Sequence, residues 1–165
     1  MFKVGIIGAE STGKSSLALY LAKRYNGLLV PEYARGYVER KGTTDVTYNE
    51  LCGIARHQIE EMSRLYAADG TNGQSSPDQP VFFDTELIVT KVWFDYAFGR
   101  VPEWLEQAIL RYPMDVYLLT YPDLPWVPDP ARTNGSDAIR QELTNRYETE
   151  IQAINIPYYI IKHCD

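Results

Sequence analysis

GAESTGKSS, residues 8–16, stands between the apolar run FKVGII and the segment LALYLAKRY, in which Leu17, Leu21 and Ala22 share one helical face. It fits G-x-x-x-x-G-K-[ST], with Gly8, Gly13, Lys14 and Ser15 at the defining places. A strand giving way to a helix is the setting this pattern requires. Glycines at 8 and 13 permit backbone angles and close approaches that a side chain would block, so successive N–H groups converge on phosphate oxygens. The helix that starts near Lys14 adds unpaired donors and the positive end of its dipole. Lys14 is placed to neutralise β- and γ-phosphates, and the Ser15 hydroxyl suits Mg²⁺. The stretch therefore predicts a site for a nucleotide with Mg²⁺, built from Gly8, Glu10, Ser11, Thr12, Gly13, Lys14, Ser15 and Ser16; the loop itself does not choose between ATP and GTP.

Strand-like and helix-like segments alternate outward from this point. FKVGIIG, GLLVPEYAR (ending as a strand at Pro31), VFFD, MDVYLLT and IPYYIIK read as strands. Lys14 to Tyr25, TELIVTKVWFDYAF, PEWLEQAILRY and residues 136–154 read as helices. A long helix follows Thr47, which forms a capping box with Glu50 and leads into Leu51, Ile54, Ile59, Met62 and Leu65. The alternation predicts an α/β fold with a mostly parallel five-stranded sheet. Combined with the phosphate loop, it predicts a P-loop kinase-like three-layer sandwich in one domain over residues 1–165. Residues 69–80, all turn-formers, are expected to form a mobile surface loop, and the Pro- and Asp-rich segment near 121–140 to form a lid.

Composition narrows the classes. The 165 residues are 45% hydrophobic and 23% charged, enough for a core without staples. A net charge of −6 argues against nucleic acid or an anionic membrane as partner and favours a small molecule. Cys52 and Cys164 lack metal or redox spacing and read as packing residues. With no apolar run near the ~20 residues that span a bilayer, a cytoplasmic location is expected.

VFFDT, residues 81–85, delivers Asp84 at the carboxyl end of a strand, where open α/β sheets bind ligands. Asp84 is a candidate Mg²⁺ ligand through water and a candidate acceptor of the attacking hydroxyl's proton. The chain has no NKxD-like element for guanine, and Thr85, not a glutamate, follows Asp84. Those features disfavour a GTPase and a motor ATPase. A small-molecule kinase needs a phosphate loop, an acceptor pocket and a closing segment with arginines. Arg132 and Arg140 on the expected lid are candidates for that last role.

GAESTGKSSL, VPEYAR, FFDT followed by a helix, and YLLTYPDLPWVPDPAR occur in this order over nearly the whole chain. Together they resemble the ribosylnicotinamide kinase domain of NadR proteins. The resemblance implies transfer of the ATP γ-phosphate to the 5′-hydroxyl of nicotinamide riboside, giving nicotinamide mononucleotide for NAD salvage. It places Trp126 of PWVP against the cationic ring, by stacking and cation–π attraction, and Glu32, Tyr33 and Arg35 around the acceptor. Asp84 and Glu32 compete for the role of base, and Asp84 is favoured, since phosphoryl transfer depends more on positioning and charge neutralisation than on a strong base. Pro130 replaces an expected glycine ahead of Arg132, and the chain stops soon after its last strand. The alternatives are a kinase of another nucleoside or small molecule, and a non-catalytic ATP-binding regulatory module.

Overall fold

In a computed structural model that describes residues 1–70, 79–131 and 135–163, KVGIIG forms β1 (Lys3–Gly8), the central strand of a five-stranded sheet. Beside it run β2 (Leu28–Val30), β3 (Val81–Asp84), β4 (Val116–Thr120) and β5 (Tyr158–Ile161), all parallel, in the order β2-β3-β1-β4-β5. The connections carry α1 (Lys14–Arg24), α2 (Tyr33–Lys41), α3 (Tyr48–Gly70), α4 (Leu87–Phe98), α5 (Glu103–Arg111) and α6 (Asp137–Ala153). The expected mobile loop lies mainly in 71–78, outside the described residues.

The three layers follow from the strand sequences. Parallel strands covered on both faces need apolar side chains at consecutive positions. Val4, Ile6 and Phe82 pack under α1, while Ile7, Phe83, Tyr117 and Leu119 join Ile54, Leu87 and Leu143 in the larger core shared with α3 to α6. Each large apolar side chain buried in this way contributes about 1.5–3 kcal/mol. Cys52 lies half-buried against the larger core, and Cys164 falls outside the described residues. No helix among the described residues is long and apolar enough to cross a membrane.

Register places the site. Ile6 is paired with Asp84 and Gly8 with Thr120, so the carboxyl ends of β1, β3 and β4 lie side by side. Gly5 makes room within the sheet layer, since a Cβ there would come within 2.6 Å of the Tyr117 ring. The missing side chain lets Tyr117 cross over β1 and reach Glu86 with its hydroxyl.

One helix escapes the sequence reading. VPEYAR supplies the end of a short strand as expected, but α2 begins at Tyr33, with no fully buried residue along its nine-residue length. It rests on the main body through Tyr33, Ala34 and Tyr37. The Tyr37 hydroxyl donates to Glu50, and the Lys41 ammonium is 2.7 Å from the same carboxylate.

Glu50 also closes the capping box of α3. The Thr47 N–H donates to its carboxylate at 2.8 Å, and the Glu50 N–H donates back to the Thr47 hydroxyl at 3.3 Å. Lys41, then the Thr47 N–H, hold the Glu50 carboxyl down at about 2, against an ordinary value of 4.5. Its contribution is complete above pH 4.5 and is lost as the pH falls through about 2. Glu50→Gln should lower the melting temperature at pH 7 by a few degrees, and calorimetry should show the gap to wild type closing below pH 4.

Candidate functional site

The phosphate loop is held open by constraints on its carbonyls and hydroxyls. Gly8 has φ +153°, and a Cβ on it would lie 2.2 Å from the Thr120 hydroxyl. Ser11 (φ 54°) and Gly13 (φ 81°) occupy the left-handed region, and Gly13 caps α1. The buried Thr12 hydroxyl donates to the Ala9 carbonyl at 2.9 Å and meets the Thr120 hydroxyl at 2.6 Å. Lys14 is buried with the loop, its ammonium donating to the Ala9 carbonyl at 2.6 Å. Ser15 and Ser16 are exposed on the first turn of α1.

Arg140 differs from the sequence expectation. It lies on α6 rather than on a lid and is 1% exposed. Its guanidinium donates to the carbonyls of Glu10 (3.1 Å), Ser11 (3.3 Å) and Leu124 (2.8 Å). Ser136 caps α6 by accepting from the Ile139 N–H, so the helix takes over the last part of the expected 121–140 lid. The reach of Arg140 is thus fixed by a helix and by loop carbonyls. Arg132 falls outside the described residues.

Residues 121–131 lack regular structure but are tied down. The Val127 N–H donates to the Ser11 hydroxyl at 3.3 Å, and the His163 N–H to Asp123 at 2.9 Å. Arg35 of α2 pairs with Asp129 at 2.9 Å, joining VPEYAR to the PWVPDPAR segment. Trp126 does not line the cavity described below. Its indole lies on Gly135, where a Cβ would come within 2.3 Å, and its N–H is buried without a partner among the described residues. The indole that the sequence reading assigned to an acceptor ring is in contact with Gly135.

At the end of β3, Asp84 and Thr85 are 5% and 6% exposed, and Asp84 Oδ1 and Thr85 Oγ1 have no hydrogen-bond partner among the described residues. Thr85 has φ 70°, a strained conformation for a β-branched residue that the surrounding structure must enforce. Glu86 then caps α4 by accepting from the Ile88 N–H at 2.9 Å. Burial pushes its carboxyl up to about 8. A carboxyl largely protonated at pH 7 is a poor base, which leaves Glu86 as a cap for α4.

A cavity of ≈ 210 Å³ joins these parts. Gly8, Glu10, Lys14 and Thr85 line one side, and Glu32, Arg35 and Val38 of the α2 region another. Val89, Trp93 and Ala97, at i, i+4 and i+8 on α4, form a third wall, completed by Phe98, Leu51, Ile54, Leu143 and Tyr147. Tyr33 instead stacks on His57 at 3.7 Å. Tyr147, not identified from the sequence, is 1% exposed. Burial, then the carboxylates of Glu10 and Glu32, raise its hydroxyl pKa. Only the i, i+4 pattern of α4 hinted at this wall. Because Gly8 is pressed against Thr120, Gly8→Ala should cost about 1–3 kcal/mol of stability and abolish nucleotide affinity; urea unfolding and titration calorimetry with Mg-ATP check both.

A family profile described as "AAA domain" matches residues 3–165. The trifunctional NAD biosynthesis/regulator protein NadR of Escherichia coli is 28% identical over 98% of this chain, and that of Salmonella typhimurium is equally so. The chain spans 38% of the length of these curated relatives. Among solved structures, a NadR protein in complex with NAD and AMP-PNP superposes with a TM-score of 0.74 at 22% identity, covering 98% of this chain and 44% of the other. Thymidylate kinase from Ehrlichia chaffeensis gives 0.67 at 13%, covering 99% and 88%. The all-parallel sheet, the loop of residues 8–15 and the match over nearly every residue agree: the chain belongs to the AAA domain family, with a P-loop kinase-like fold.

Proposed function

We propose that the chain is an ATP-dependent kinase that transfers the γ-phosphate to the 5′-hydroxyl of nicotinamide riboside, giving nicotinamide mononucleotide. The observation that carries this reading is the shared cavity. Gly8 and Lys14 of the phosphate loop line the same space as Glu32 and Arg35 of VPEYAR, so a donor phosphate and an acceptor hydroxyl meet inside it. Further support comes from the curated relatives, named for NAD biosynthesis, and from NadR complexes with AMP-PNP and with NR, which we read as nicotinamide riboside.

In this reading the triphosphate lies along the N–H groups of residues 8–15, and the Lys14 ammonium turns from the Ala9 carbonyl to the β- and γ-oxygens. Ser15 and Asp84 offer hard oxygens, and the unpartnered Asp84 Oδ1 fits a Mg²⁺ site; the ion, when bound, would neutralise charge on the phosphate oxygens. Asp84 does not line the cavity whereas Glu32 does. We therefore assign the hydroxyl proton to the Glu32 carboxylate. As the acceptor oxygen bonds to the γ-phosphorus, the bond from that phosphorus to the bridging oxygen breaks, and ADP leaves with the electron pair. Residues 121–131, latched by Arg35–Asp129, limit water at the transferring group. Arg132 next to them is assigned to charge neutralisation on the same group.

The test uses the purified chain with Mg-ATP and a panel of acceptors, with ATP consumption as readout. Nicotinamide riboside should give the largest stimulation, and Lys14→Ala should remove about 100-fold or more of the rate without changing the circular dichroism spectrum. No stimulation by the riboside refutes the acceptor assignment. Tight ATP binding without turnover of any acceptor would indicate a regulatory module.

A further inference from the structure

Trp93 and Trp126 are treated oppositely by the fold. Trp126 lies against Gly135 and lines no part of the cavity. Trp93 is partly exposed, and it lines the cavity one helical turn beyond Val89 and one before Ala97. Helical rise sets the geometry of that wall. At ~1.5 Å per residue, Trp93 stands about 9 Å along α4 from Leu87, which itself follows the Asp84–Glu86 turn closely. A hydroxymethyl group held at that turn and a flat ring resting on Trp93 are therefore separated by roughly the length of a pentose carrying one ring. Among the described residues, the charged groups of the cavity are Glu10, Lys14, Glu32 and Arg35, contributed by the phosphate loop and the α2 region. The α4 wall of Val89, Trp93, Ala97 and Phe98 is apolar. What it offers a ring is surface and the negative face of an indole, an attraction that grows when the ring is cationic. Trp93 also meets Tyr96 edge-on, with centroids 5.8 Å apart and planes at 89°. Tyr96 in turn carries the Arg146 guanidinium at 5.6 Å. This chain of contacts helps to hold the indole.

We propose that Trp93, not Trp126, is the platform for the ring of the acceptor, and that the acceptor is a nucleoside with a single compact ring, held with its hydroxymethyl group toward Thr85 and Lys14. This rests on the phosphotransfer reading above for the direction in which the acceptor enters. The two fail separately in experiment. Titration of the full chain with nicotinamide riboside alone should quench tryptophan emission, since a pyridinium ring stacked on an indole accepts charge from its excited state. Trp93→Phe should lose most of that quenching, and Trp126→Phe should keep it. With Mg-ATP present, Trp93→Ala should raise the KM for the riboside about tenfold while changing the KM for ATP less than twofold. Trp93→Phe, which keeps an aromatic face, should recover most of the loss. The proposal is overturned if quenching disappears in Trp126→Phe and persists in Trp93→Phe, or if both Michaelis constants move together. If no nucleoside is phosphorylated yet Trp93-dependent quenching is seen, the ring platform stands and the kinase reading falls.

Discussion

Thr120, at the end of β4, approaches β1 so closely that one carbon atom added to Gly8 would collide with its hydroxyl oxygen. The rest of the site depends on that contact. It brings the Thr120 hydroxyl to Thr12, and Thr12 to the Ala9 carbonyl, so the loop turns back on itself before α1 begins. Arg140 then holds the carbonyls of Glu10 and Ser11. In a trans peptide the carbonyl and the next N–H point in opposite directions. Holding these oxygens from the α6 side therefore turns the N–H groups of Ser11 and Thr12 the other way. A buried guanidinium with three carbonyl partners is strongly destabilising when left half-satisfied, which makes this arrangement rigid.

The second half of the site is positioned by a relay through the sheet. Gly5 makes room for Tyr117, whose hydroxyl reaches Glu86, and Glu86 caps α4. The cap fixes where α4 starts, and with it the Val89–Trp93–Ala97 wall. It also holds the turn in which Thr85 is strained and Asp84 keeps an oxygen without a partner among the described residues. Strain and unpaired polarity, both destabilising in an ordinary core, are concentrated at the carboxyl edge of the sheet.

Much of this was legible in the sequence because it depends on local chemistry. The phosphate loop between strand and helix, the Thr47–Glu50 capping box and Asp84 at a strand end are written in residue types at fixed spacing. The position of α2 was not, because YARGYVERK has no buried stripe and is held by its neighbours. Arg140 read as a lid arginine closing over the transferring phosphate; only the fold shows that α6 brings it to the carbonyls of the phosphate loop. The place of Trp126 was hidden for a related reason. An aromatic residue between prolines suggests exposure, but Gly135, further along the chain, offers it a flat backbone to lie against. Both cases depend on which segments pack together, and sequence spacing does not encode that.

The central place of β1 has a consequence for how the chain acquires its shape. Val4 sits in the sheet between Phe82 and Val116, both far along the chain. Within the chain the phosphate loop precedes both strands that flank β1, and it is framed on both sides only once β4 has been made. Closing such long loops before any sheet pairing rewards it slows assembly. Until β4 arrives, the apolar run preceding Gly8 is a strand with an open edge, and a nascent chain stalled before residue 116 would present it to chaperones or to other copies.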